Sequence, residues 1–144
     1  MAFRHGKNAV LKLDNSAGTL VDLSAYLDEI SMPRSIETGE TTTFGSTGSA
    51  KTYITGLSDA TVSLAGKFDS TADAHFSGIL SALLAGTIDS VSFEYGKEGS
   101  TAGRVKYSGE ALLTSYEVSS PVADIVTFSA ELQVTGAITR GTWS

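Results

Sequence analysis

The chain has 144 residues, 41% of them apolar and 18% charged, enough for one domain with its own core and too few for two. It contains no cysteine, which excludes disulfides and thiolate metal sites. A formal net charge of −6 argues against tight DNA binding through phosphate neutralisation.

The first ten residues, MAFRHGKNAV, hold no apolar run of signal-peptide length. No later segment reaches the roughly 20 apolar residues that span a bilayer. Synthesis in the cytosol, with no membrane partner, is the expectation. The stretch NAVLKLD then alternates, with Ala9, Leu11 and Leu13 on one side and Asn8, Lys12 and Asp14 on the other. That period of two predicts a strand with one buried face. Asp28 and Glu29 are neighbours, so on a strand they point to opposite faces and make no acid/base pair.

Residues Glu37–Ala50 differ from everything around them. Ten of these fourteen are Thr, Ser or Gly, and Phe44 is the one large apolar residue. They predict a long polar excursion between two strands, with Glu37 and Glu40 in a mobile loop. Its end, FGSTGSAKT, nearly spells a phosphate-binding loop, but Ala50 stands where the second glycine belongs. A phosphate loop also needs a helix after its lysine. The residues following Lys51, TYITGL, favour strand, and Gly56 would interrupt a helix. A hairpin loop that contains Gly and Lys is the better reading.

A second alternating run, ATVSLAGKFD, sets Val62, Leu64 and Phe68 against Thr61, Ser63 and Lys67. A single segment has a helical period. In STADAHFSGILSALLAG, Phe76, Ile79, Leu80, Leu83 and Leu84 form one apolar stripe, predicting a helix over about residues 71–85. Ser70 with Asp73 resembles a capping box, and Gly86 suits the stop. Such a stripe should clamp onto a sheet. His75, beside Phe76, reads as a helix-edge residue; neither it nor His5 has companions at metal-ligand spacing, so no metal is expected.

Three further strands follow. SVSFEYG puts Val91, Phe93 and Tyr95 opposite Ser92 and Glu94, and GRVKYSG alternates Val105 and Tyr107 with Arg104 and Lys106. DIVTFSAELQVTG is the clearest, with Val126, Phe128, Ala130, Leu132 and Val134 on one face and Thr127, Ser129, Glu131 and Gln133 on the other. Trp143 is either a docking anchor or part of a frayed tail. Fifteen glycines against two prolines fit a mainly β chain with many turns. No Gly-x-Ser-x-Gly elbow is present, and no cofactor or catalytic group is expected.

Two phrases carry a family resemblance: TTTFGSTGSAKTYITGLSDATVSLAGKFDSTAD (residues 41–73) and ADIVTFSAELQVTGAITRG (residues 123–141). The chain resembles the major tail tube proteins of long-tailed bacteriophages, and the similarity runs through most of it in order. The resemblance implies a compact β-sandwich or barrel with one flanking helix, forming a single domain over residues 1–144 with extended N- and C-terminal arms. It implies that six copies close into a ring and that rings stack into a virion tail tube assembled in the host cytoplasm. The partners would be the chain itself, other tail proteins, and double-stranded DNA that passes without specific binding. The long loop would then reach a neighbouring subunit or ring, with Glu37, Glu40, Phe44, Lys51 and Tyr53 as its contact residues.

A ring needs a head-to-tail interface, in which one patch meets a different patch on the next copy. A lumen wall that lets DNA slide should be neutral or acidic, because cationic walls hold phosphates. Thr127, Ser129, Glu131 and Gln133 are the first candidates for that wall, with Ser92 and Glu94 second; ordinary outward surface is the alternative. A small ligand- or receptor-binding β-sandwich of a virion is the competing function, disfavoured because the aromatics fall mostly on inward faces.

Overall fold

The computed structural model describes residues 5–45 and 48–144. Eight strands form antiparallel pairs: β1 (Val10–Asp14), β2 (Leu20–Asp22), β3 (Leu27–Ser31), β4 (Arg34–Glu40), β5 (Tyr53–Lys67), β6 (Val91–Gly96), β7 (Val105–Ser119) and β8 (Thr127–Thr142). One helix, α1 (Ser70–Ala85), joins β5 to β6. The strand order is β2-β1-β6-β7-β8-β5-β3, with β4 off this path and paired to β5. The sheet curls without β2 and β3 pairing to each other, so both edges stay open.

Alternation builds the core as the strands predict. Leu11, Leu13, Val62, Leu64, Val91, Phe93, Phe128, Ala130 and Leu132 are all buried on one sheet face. The helix closes that face with Ala72, Phe76 and Ile79. Phe76 stacks on Tyr116 with ring centres 5.3 Å apart and meets Phe128 at 5.4 Å. Burying each large side chain contributes about 1.5–3 kcal/mol. The Tyr116 hydroxyl also donates to Asp73 at 2.8 Å, tying the first turn of α1 to β7.

The helix differs from its expectation at its N-terminus and at one residue of the stripe. Its N-cap is Asp69, whose carboxylate accepts from the Thr71 amide at 2.8 Å; Ser70 is already inside the helix. Gly86 ends it in the left-handed conformation at φ 75°, as expected. Leu84 is 82% exposed and is not part of the packed stripe, while its neighbour Leu83 still packs against the core.

The polar excursion is shorter than 37–50. Glu37 and Glu40 belong to strand β4, and the ladder with β5 runs out to Glu40 opposite Tyr53. Threonines extend the clasp one step further: the Thr41 amide donates to the Thr52 carbonyl at 2.8 Å, and the Thr52 amide donates to Thr42 Oγ1 at 2.9 Å. Ser46 and Thr47 lie outside the described residues.

One glycine on β5 is dictated by close approach. A Cβ on Gly66 would lie 2.0 Å from the Tyr26 carbonyl oxygen and 2.9 Å from Leu27 Cα, where β3 crosses with an irregular register. Both obstacles are backbone, so neither can swing aside. Gly66→Ala is expected to cost about 1–3 kcal/mol as an overpacking change. A thermal melt checks this, and an unchanged midpoint would show that β3 gives way freely.

Candidate functional site

Two features stand apart from the core: a projecting arm and the sheet face opposite the helix. The arm arises because β5 outruns its neighbours. Its second half, Thr61–Lys67, pairs with β8, while β3 covers positions 63–66 from the other side. Its first half leaves the sheet with β4 as its single partner strand. Every residue of β4 and residues Tyr53–Asp59 of β5 are exposed. A two-stranded ribbon with no third layer is marginal alone. Yet this one carries Ile36, Tyr53, Ile54 and Leu57, exposed by 56–78%, and a wholly exposed Phe44 at its tip.

The expected contact residues are all on this arm. Glu37 sits at a register shift in β4, facing Gly56, where an added Cβ would come within 3.2 Å of Glu37 Cβ. Glu40 and Tyr53 close the ladder. Lys51 Nζ lies 3.6 Å from Glu40 Oε1, an exposed pair worth little in stability. No helix follows Lys51, so nothing here cradles a phosphate. Ile36, Ile54 and Leu57 were not anticipated, although YITGL reads as strand and offered the signal.

The second feature joins the six residues expected on a wall. Ser92 stands opposite Glu110, and Glu110 stands opposite Thr135, which continues the alternation of Thr127, Ser129, Glu131 and Gln133. Glu94 is two residues beyond Ser92. All six therefore share the face turned away from the core. Register adds Ser63 and Ser115 beside Glu131, and Glu117 beside Ser129. A shallow groove of about 280 Å³ runs between Glu29, Ser63, Ser115, Ser129 and Glu131. Another of about 290 Å³ adjoins it along Asp28, Glu117, Ser119 and Thr127. Among the described residues, no lysine or arginine lines either groove.

The cations of this face are each held by a partner. Lys67 donates to Asp28 at 2.8 Å, and this hydrogen bond raises the Lys67 pKa. Lys106 meets Glu94 at 2.9 Å. Lys106 and Lys12 also lie over the Trp143 ring, both 5.2 Å from its centre. Trp143 is thus an anchor and not a frayed tail: it is 8% exposed, and its backbone bonds to Gly103 and Arg104. It packs on Gly96, where a Cβ would meet the indole Nε1 at 2.7 Å. Elsewhere on the face, Glu110 accepts from the hydroxyls of Ser90 and Ser92, and Gln133 Nε2 donates to Asp59 at 2.6 Å.

The remaining polar candidates do not assemble into a reactive centre. Among the described residues, no three of His, Asp and Glu are placed to hold a metal ion. Among the same residues, no helix is long and apolar enough to cross a membrane. His75 is half-buried, and desolvation holds its imidazole below the ordinary value of 6.5, outweighing a hydrogen bond to the Asp14 backbone and the Asp14 charge. The unfolded chain therefore binds this proton more readily than the folded one. Stability from this group is complete above about pH 6.5 and declines as pH falls below it. His75→Gln is expected to flatten the melting midpoint between about pH 7.5 and 5; parallel curves for variant and parent would assign the slope elsewhere.

An open sheet with one acidic, hydroxyl-rich face and an unpartnered apolar arm is the build of a structural protein that associates with copies of itself. Residues 4–140 match the family model described as phage tail tube protein, and the chain belongs to that family. Its role is accordingly that of a structural, tube-forming protein of the virion tail. No curated protein sequence matches it significantly.

The fold is similar to that in the tail of an empty gene transfer agent particle refined with C6 symmetry: TM-score 0.77, 19% identity, covering 97% of this chain and 100% of that one. It is similar also to the SPP1 tail tube (TM-score 0.64, 15% identity, 97% and 80% covered). A third likeness is to a chain of the anti-feeding prophage baseplate (TM-score 0.72, 11% identity, 99% and 96% covered).

Proposed function

We infer that copies of this chain close into rings of six, and that the rings stack into the tube that delivers phage DNA. The observation that carries this is the arm: a ribbon with five exposed large apolar side chains and no third layer, on a fold similar to tail tubes over nearly the whole chain. The ring size follows the C6 symmetry of the similar gene transfer agent tail. Open edges at β2 and β3 leave strand hydrogen-bonding groups for neighbours in the ring. The arm orders against another copy, through Phe44, Tyr53, Lys51 and the carboxylates Glu37 and Glu40. The other tail components are further partners at the ends of the tube.

The face of Thr127, Ser129, Glu131, Gln133, Ser92 and Glu94 is the wall of the channel. Its grooves carry carboxylates and hydroxyls, and its lysines are tethered to Asp28, Glu94 and Trp143. Among the described residues, duplex DNA finds no free cation there to trade for its counterions. Charges beyond about 8 Å are screened at physiological salt, so this lining layer decides the interaction. The chain performs no catalytic step in this role. A small-ligand module is the weaker reading, since Phe128, the aromatic residue that lines the second groove, is buried in the core and offers no exposed ring.

Light scattering and negative-stain microscopy of the purified protein, with and without a tail initiation complex, test the assembly. Rings or tubes are expected. A monomer that persists at high concentration under both conditions would overturn it.

A further inference from the structure

Among the described residues, the exposed large apolar side chains fall mainly into two groups. One is the arm. The other is Phe68, Val118, Val122 and Ile125 at the far end of β5. Phe68 and Val118 stand at the ends of their strands there, and Val122 and Ile125 lie in the β7–β8 connection. The Phe68 amide donates to the Val126 carbonyl at 3.0 Å, and Thr127 stands opposite both Lys67 and Ser119. Val118 is opposite Phe128 and Phe68 is two residues past buried Gly66, so both continue the core face to its lip. Val122 and Ile125 carry that lip outward, exposed by 106% and 55%.

The two groups lie at opposite ends of one rod, since the fifteen residues of β5 extend about 50 Å. Patches so placed meet when copies line up head to tail, and that contact repeats along an axis without closing. The charges of the arm's tip and of the far end differ in sign, although Lys51 also lies 3.6 Å from Glu40 on its own arm. Between Thr41 and Thr52 the one charged residue is Lys51. The far end carries Asp69, Glu117 and Asp124, while its Lys67 is taken up by Asp28.

We propose that the cluster of Phe68, Val118, Val122 and Ile125 is the seat for the arm tip of a second copy in the adjoining ring, with Phe44 entering the apolar lip and Lys51 meeting Asp124. This rests on the tube reading and names the surface that receives the arm. A single such contact is well below the roughly 1,200–2,000 Å² of a stable interface. A ring makes it once per subunit, and the effective concentration of the remaining arms multiplies the first engagement. Free protomers therefore stay apart while rings stack.

The cysteine-free chain permits a clean test. Phe44→Cys and Val122→Cys are prepared singly and together, assembled, oxidised mildly and run on a non-reducing denaturing gel. Gly45→Cys with Ala123→Cys is a second pair that keeps both apolar side chains. A disulfide needs Cα atoms within about 7 Å, so it reports a close approach. The expected result is a linked dimer from mixed single variants, and from each double variant a ladder that climbs past the number of subunits in one ring. Tubes without any disulfide in either pair would overturn the proposal. So would a ladder that stops at the ring size, which places the arm on a neighbour in its own ring. Failure of the parent chain to form tubes would instead sink the tube reading, and the seat with it.

Discussion

Aspartate at both Ile54 and Leu57 is expected to abolish tubes while moving the protomer's melting midpoint by no more than about 2 °C. Both side chains are largely exposed, at 63% and 78%, on a ribbon that leaves the sheet. Surface changes away from special features usually stay within about 0.5 kcal/mol, so the isolated domain should tolerate them. On the proposed assembly the same positions are covered in the tube. A carboxylate buried there without a partner costs several kcal/mol at each contact. A ring repeats that cost in every subunit. Calorimetry together with microscopy separates the outcomes. A large fall in the midpoint would mean that the arm packs on its own body, and tubes that persist would remove it from the interface.

Lysine at Ser129 and Glu131 together is expected to turn a tube that ignores DNA into one that retains it. The double change moves each copy by about +3 charges at the centre of a wall whose native cations are tethered, and each phosphate neutralised adds about −0.9 to the slope of log affinity against log salt. Co-sedimentation of assembled tubes with duplex DNA over a salt series reads this directly. The parent should bind nothing measurable at physiological salt, while the variant binds at low salt and releases steeply as salt rises. Variant tubes that remain indifferent to DNA at every salt concentration would put this face on the outside of the tube.

The strands were legible in proportion to how strictly the protomer itself buries them. Val126 to Val134 alternates without interruption, and from Phe128 onward the even positions are buried just as the pattern requires. β7 was harder to read. Leu113 faces Leu132 and Tyr116 faces Ala130, both on the core side, but they are three residues apart because Thr114 bulges between them. That one extra residue breaks the period of two and hid Ser115 and Glu117, which share the face of Glu131 and Ser129. The second half of β4, Glu37–Glu40, was read as loop for a different reason. Its side chains are exposed throughout, so no core imposed a pattern on Ser35–Glu40. A strand that its own chain leaves uncovered shows little trace in a single-chain alternation. Trp143 shows the same limit from the opposite side: an isolated aromatic became an anchor because Gly96 leaves it a place to lie and two lysines flank it.

The continuity of β5 has a mechanical consequence. The strand is arm at one end and sheet at the other, with seven positions, Thr61–Lys67, bonded to β8. Antiparallel hydrogen bonds lie across the strand direction. A pull along the arm therefore strains all of these bonds together in shear and cannot unzip them one after another. A bent or stretched filament would pass tension from copy to copy through this rung of the sheet, and local loss of the arm's own ladder would come before any rupture of the domain.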